Sequence, residues 1–426
     1  MRHSLKSRLA VTAAALLLVI SSIVSQSLAL SSMISMGTWF KIGAEAAKDW
    51  QISQPGDDKN ILLIKPKRLL SSRPLRHVLV LYPRASSAYD TAITKIVGIF
   101  ADKRIDAEFT INHFGLDEQR GKAALKFAEH NNYDLVLAMG SESTAWLWSS
   151  YRGGRIPVVS VCSKDPVLLG QMQNYEHGSG TNFAFTSLNM PIDAQMSYVM
   201  QLRPNLKNLA ILVDSNNLSA MQTQAAPAAQ FARARGIRAF ELALKSPANA
   251  KEELARLVHD AVEVMRKNDP DLTDSVFWIT GSTTVFAEIA TINANSFRVP
   301  VLSTVTDVVQ PGDNTAVLSV GISFESNAYQ AALYAIEILE GHRKPGDMAV
   351  GIVSPPDVAI SFRKAREIGM RMPFTLFEGA TVIYDNDGNL VRSSGPAPVR
   401  TIASESSPAP LQPEPQPAAS NAFSIE

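Results

Sequence analysis

The 426-residue sequence has one cysteine, Cys162, and no excess of charge: forty Lys and Arg balance forty Asp and Glu. A single cysteine excludes an intrachain disulfide framework, a cysteine-based zinc cluster and a Cys-X-X-Cys redox pair. It also leaves no lipid-attachment cysteine near the start. The charge balance argues against a nucleic-acid binder that works by neutralising phosphates. Only seven histidines are present, and no pair is spaced as metal ligands on one helix face; His113 and His130 come nearest. There is no Gly-x-Ser-x-Gly elbow, and Ser141 has no base nearby in sequence. No glycine-rich loop ends in Lys-Ser or Lys-Thr, so nucleotide hydrolysis is not expected. No cofactor and no enzymatic activity are expected.

What the sequence does have is apolar mass, 46% of residues, enough to fold most of the chain on core packing alone. Arg2, Lys6 and Arg8 precede an apolar run from Leu9 to Val24, and no charged residue occurs between Leu9 and Phe40. This pattern predicts an export signal over residues 1–30, with small residues at Ser27 and Ala29. An uncleaved membrane anchor fits the same run. Either reading places the folded part outside the cytoplasm, periplasmic or extracytoplasmic. Residues 31–75 read as an extension, with a turn at Pro55-Gly56-Asp57-Asp58 and a solvated basic stretch at Lys65, Lys67 and Arg68. Residues 393–426 carry Pro396, Pro398, Pro408, Pro410, Pro413, Pro415 and Pro417, a composition that cannot bury a core. Neither end is expected to belong to the core, which leaves 76–392 as the body.

Six short apolar runs in the body read as buried parallel strands: His77–Tyr82, Leu135–Met139, Pro157–Val161, Leu209–Val213, Val276–Ile279 and Val299–Leu302. Helical patterns alternate with them, among them Tyr89–Lys103, Asp117–Asn131, Ala220–Gly236, Lys251–Lys267 and Phe324–Glu340. The order implies an α/β fold with parallel sheets covered on both faces. Three landmarks also recur in the same order. His77–Leu81 resembles Leu209–Val213, Asp134–Ser141 resembles Ser275–Ser282, and Ile156–Ser160 resembles Val299–Ser303. The Gly140-to-Pro157 and Gly281-to-Pro300 intervals are 17 and 19 residues. Two similar open lobes are expected, 76–187 and 188–318. A return segment to the first lobe would follow at 319–375, and a closing segment on the second at 376–392.

Open parallel sheets bind ligands at the carboxyl ends of their strands, so two facing lobes make a cleft with polar loops on both walls. Ser86, Ser87, Ser141, Thr144, Ser282 and Thr283 lie in such loops, where hydroxyls and helix N-termini suit a carboxylate. Ordinary helix capping accounts for the same residue types. Asp165, Asp214 and Asn217 also follow strands, and a carboxylate there suits a ligand amine; turn chemistry is the competing account. Trp146 and Trp148 read as helix packing, and Asp385-Asn386-Asp387-Gly388 as a hairpin turn.

The body resembles the ABC-transporter substrate-binding proteins related to the TrpX group, over roughly 77–385. The resemblance rests on Val161-Cys162-Ser163-Lys164-Asp165-Pro166-Val167, similar to a family strand ending in Thr-Asp-Pro-Val, and on Leu206–Asp214. It rests also on Ala335–Gly341 and on Ala365–Pro373, similar to a closing Ala-x-x-x-Gly pattern that ends in Pro. It implies the type I periplasmic-binding fold: two open parallel-sheet lobes joined by a multi-strand hinge, closing on a captured solute. It further implies a small polar ligand, such as an amino acid, with ABC permease subunits as partners. The nine polar residues named above become the ligand-facing set. One departure concerns the cleft directly, because the family commonly has Asp-Asn where this chain has Gly281-Ser282. The extension, the tail and that altered loop suit a second reading: a membrane-tethered sensor or scaffold of the same fold that binds a protein partner.

Overall fold

The computed structural model describes residues 33–70 and 74–393. The expected signal or anchor and most of the Pro-rich tail lie outside the described residues.

Strands β1 (Met33–Met36) and β2 (Phe40–Gly43) pair as an antiparallel hairpin. Seven strands form the first sheet: β3 (Trp50–Ser53), β4 (Ile61–Pro66), β5 (Arg76–Tyr82), β6 (Ala107–His113), β7 (Leu135–Met139), β8 (Val158–Val161) and β9 (Phe183–Ala184). Their spatial order is β3-β4-β6-β5-β7-β8-β9, parallel from β6 onward. After the short β10 (Thr186–Ser187) the chain builds the second sheet from β11 (Asn208–Asp214), β12 (Arg238–Leu244), β13 (Ser275–Ile279), β14 (Val301–Ser303) and β15 (Leu318–Gly321). It then returns to the first lobe through the helix Phe324–Leu339 and β16 (Gly351–Ile352), which pairs in parallel with β10. The second sheet is completed by β17 (Asp357–Ser361), β18 (Val382–Tyr384) and β19 (Leu390–Ser393), in the order β12-β11-β13-β14-β15-β17-β18-β19.

The recurrence in the sequence is therefore a recurrence of topology. The order β6-β5-β7-β8-β9 in one lobe repeats as β12-β11-β13-β14-β15 in the other. The strands are near-continuous apolar runs because helices cover both faces: every residue of β7, β11 and β13 is buried. The helix Ser87–Asp102 shows the matching pattern, burying Ala88, Tyr89, Ala92, Ile93, Ile96, Val97 and Phe100 along one face.

The extension does not stand apart from the core. Trp39, Phe40, Ile42, Trp50, Leu62 and Ile64 are buried in the same cluster as Val78, Val80 and Phe109. β4 lies antiparallel against β6 and so widens the first sheet. The return segment is also shorter than its expected span, because β17 is already hydrogen-bonded to β15 in the second sheet.

Three crossings join the lobes: after β10, between β15 and the helix Phe324–Leu339, and between β16 and β17. They are tied to one another and to the strand ends. Ser323 N donates to Asp357 Oδ2 (2.9 Å), and Cys162 N donates to Asn327 Oδ1 (2.7 Å). Cys162 adopts φ +53°, a left-handed conformation that this bond helps to hold at the end of β8. Trp146 packs against Phe114 and Trp148 against Phe183 and Phe185, as helix packing requires. Asp385–Asn389 is the turn of the β18–β19 hairpin: Asp385 Oδ1 accepts from the amides of Asp387 and Asn389.

Candidate functional site

The loops at the carboxyl ends of the two sheets face each other and leave a void of about 50 Å³, less than two waters occupy in the liquid. Residues from both lobes and from the return helix line it. Arg84, Ser86, Tyr89, Ser141, Glu142, Cys162 and Lys164 come from the first lobe, Asn217, Ser219, Gly281 and Thr283 from the second, and Phe324 from the return helix.

The expected ligand-facing residues divide into two groups. Ser86, Ser141, Asn217 and Thr283 line the void. Asn217 also caps its helix, accepting from Ala220 N at 3.1 Å, and Ser141 Oγ accepts from Lys164 N at 2.9 Å. The other five are occupied elsewhere. Ser87 opens instead onto an outer groove of about 1170 Å³, beside the β1–β2 hairpin. Thr144 is fully buried and donates to Gly140 O (2.8 Å), a bond along its own helix. Ser282 is fully buried and exchanges a hydrogen bond with Thr280 Oγ1 at 3.1 Å. Asp165 spends its carboxylate on its own loop: Oδ1 accepts from Val167 N (2.8 Å) and Leu168 N (3.0 Å), and Oδ2 from Tyr175 Oη (2.7 Å). Asp214 Oδ1 accepts from Asn216 N (2.9 Å). Both aspartates thus follow the turn chemistry that competed with the ligand-amine account. Asp165→Asn should lower the thermal unfolding midpoint by several degrees, because at least one of its three acceptor roles is lost in a buried loop. Calorimetry checks this.

The residue that dominates the void is a lysine. Lys164 extends from the first lobe with its side chain 5% exposed, and its Nζ donates to Gln224 Oε1 across the cleft at 3.3 Å. Gln224 stands on a single π turn, Met221–Ala225, set inside the longer helical run that begins at Leu218. Such turns are frequent at functional sites because the extra residue pushes side chains out of helical register. Gln224 Oε1 also accepts from Gly281 N (2.8 Å), and its Nε2 donates to Thr304 Oγ1 (3.3 Å). Gly281 leaves this space to the lysine: a Cβ would stand 2.0 Å from Lys164 Nζ, so a side chain here would displace the ammonium. Burial pushes the Lys164 ammonium down to about 8, since a charge away from water is disfavoured. Beside it, Arg84 Nη1 pairs with Glu142 Oε1 at 3.0 Å, while Glu142 Oε2 is buried with no hydrogen-bond partner.

Three further bonds fasten the walls. Gln222 Nε2 donates to Leu168 O (2.6 Å), and Asn189 joins Asp165 N (3.0 Å) to Thr223 O (3.2 Å). The arrangement is a closed, polar, two-walled cleft over a three-stranded hinge.

The family model for ABC transporter substrate binding proteins matches residues 115–382, well over half of the chain. The chain belongs to that family. A tyrosine-binding protein of Clostridioides difficile (strain R20291) is 22% identical over 238 residues, 56% of this chain. The chain spans 64% of the length of that curated relative. Among solved structures, a conserved domain protein from Vibrio cholerae has a TM-score of 0.59 at 19% identity, covering 72% of this chain and 99% of the other. An ABC domain in complex with L-Trp from Streptococcus pneumonia has a TM-score of 0.57 at 19% identity, covering 73% and 100%. A ligand-free, open substrate-binding protein with adhesive properties from Clostridium difficile has a TM-score of 0.52 at 18% identity, covering 76% and 99%. At these identities the structural likenesses establish the fold, the type I periplasmic-binding architecture that the sequence led us to expect. Among the described residues of this substrate-binding protein, no helix is long and apolar enough to cross a membrane, and no group of His, Cys, Asp or Glu is placed to hold a metal ion.

Proposed function

We propose that the chain is the extracytoplasmic solute receptor of an ABC importer and that it captures a small polar solute between its two lobes without catalysis. The observation that carries this reading is the cleft. Both walls are polar, they come from topologically equivalent loops, and three crossings let one lobe swing against the other. The remaining void of about 50 Å³ is smaller than an amino acid, so capture proceeds by opening and reclosing. Arg84, Ser86, Ser141, Glu142, Lys164, Asn217 and Thr283 are the contacts. The family membership supports the assignment, and the ligand names attached to relatives make amino acids and related small carboxylates the first panel to test.

A thermal-shift screen of the protein against that panel tests the reading. A ligand that binds only the folded state at about a hundred times its Kd adds ~2.7 kcal/mol, a shift of several degrees. At least one member should give such a shift. A flat response across the panel would remove solute capture as the function.

A further inference from the structure

The cleft holds a buried cation that has no ion-pair partner among the described residues. Arg84 and Glu142 neutralise each other. Asp165 and Asp214 direct their carboxylates to hydrogen bonds within their own loops, and neither forms an ion pair with Lys164. Lys164 is left as a buried cation whose ammonium has one hydrogen-bond partner among the described residues, a neutral amide oxygen, and no ion pair among them includes it. A buried ammonium without a counter-charge is costly, so its retention in the middle of a cleft points to an anion that arrives from outside.

The second wall supplies no side chain at this point: Lys164 Nζ occupies the space directly over Gly281. The Gly281 amide cannot take over as a new anchor, because Gln224 Oε1 already accepts it.

This inference rests on the solute-capture reading and sharpens it. We infer that Lys164 is the anchor for a carboxylate of the captured solute, and that the solute is a small organic acid of net negative charge, not a neutral zwitterion. Its carboxylate inserts between Lys164 Nζ and the Gln224–Gly281 wall. The unpartnered Glu142 Oε2 accepts a hydroxyl or N–H of the same molecule. Ion pairing in this water-poor site neutralises Lys164 and draws the two walls together, so closure and charge recognition are one event.

Isothermal titration of the full chain with matched probes tests the inference. The probes are small 2-hydroxy acids, dicarboxylates and acidic amino acids, each beside its carboxamide, together with neutral amino acids. The net-negative acids should bind and their amides should bind at least 30-fold more weakly. Lys164→Met should weaken the acids by a similar factor, as truncation of one partner in a buried charge pair does, and should raise the unfolding temperature of the unliganded protein. Gly281→Asp, which supplies Lys164 with an internal carboxylate, should abolish acid binding as well. The inference is overturned if acids and amides bind alike, if neutral amino acids bind more tightly than the anions, or if Lys164→Met keeps wild-type affinity. In each of those cases solute capture stands. A wild-type chain that binds none of the probes overturns solute capture itself. The amide comparison uses only the wild-type protein and does not depend on any variant folding.

Discussion

The Lys164→Met protein should unfold at a higher temperature than the wild type when no ligand is present, with the gap largest below pH 8. A lysine buried at 5% exposure keeps its charge at neutral pH only at the expense of lost hydration. Its folded-state value is about 8 against a reference of 10.5. Below pH 8 both folded and unfolded states hold the proton, and the full burial penalty is present. Between about 8 and 10.5 the folded lysine loses its proton while the unfolded one keeps it, so wild-type stability rises through this window. Above it the penalty is gone. Each unit of depression corresponds to ~1.4 kcal/mol. With partial relaxation of the cleft, the methionine variant should gain ~1–3 kcal/mol at pH 7 and nothing at pH 10.5. Tyr89 and Cys162 face the same void, but burial pushes both of them up and away from this window. A decline of the stability difference that begins near pH 8 and is complete by about 10.5 therefore reports Lys164. Paired calorimetric scans at pH 6, 8, 9 and 10.5 read it directly. A variant less stable than wild type at pH 7 would identify Lys164 as a structural tie between the first lobe and Gln224. A stability gain with a loss of binding is what separates a residue kept for function from one kept for the fold.

A change that removes nothing should have the larger structural effect. Gly321 ends β15 at the second crossing, and a Cβ on it would stand 1.8 Å from Thr304 O and 2.8 Å from Thr304 C. The obstruction is backbone, so no side chain can rotate away from it. Thr304 N donates to Ile279 O (3.0 Å), and Thr304 Oγ1 receives Gln224 Nε2. Pushing that backbone aside therefore disturbs β13, β14 and the side chain that holds Lys164. Gly321→Val should cost about 3 kcal/mol or more, the upper end of overpacking in a tight interior, and should lower the unfolding midpoint by at least several degrees. Urea unfolding followed by tryptophan fluorescence, with Trp278 on the adjoining β13, is the measurement. A variant within ~1 kcal/mol of wild type would mean that the crossing accommodates a side chain.

The parallel strands were legible because burial on both faces leaves unbroken apolar runs. Leu135–Met139 was located to the residue, and the repeated Gly and Pro landmarks disclosed the two equivalent sheets. Strands without such runs were not. β6 breaks its apolar pattern with Glu108, Thr110 and Asn112, and β12 lies at a sheet edge with half-exposed side chains. β3 and β4 are short and sit beside Lys65, Lys67 and Arg68, which made a core-forming segment look like a solvated one. In the cleft, sequence position located the loops but not the direction of each side chain. Thr144, Asp165, Asp214 and Ser282 are polar residues in the right loops that bond locally. Lys164 went unnoticed for the opposite reason. A lysine between Ser163 and Asp165 reads as solvent-facing, and only the second lobe buries it. The available signal was its place in a pattern that otherwise carries threonine.

The pairing of β4 with β6 matters beyond the width of the sheet. Without β4, the first lobe would present β6 to solvent: seven residues, nearly all buried now, with one flank of amides and carbonyls unmatched. Such a border is a template for another chain to add a strand. With β4 and β3 in place, the border is Trp50-Gln51-Ile52-Ser53, four residues long, with the exposed Gln51 among them. The segment that looked like a leader to the body is the selvedge of its sheet. It closes a long flank of the first sheet along which copies of this protein would otherwise weave together.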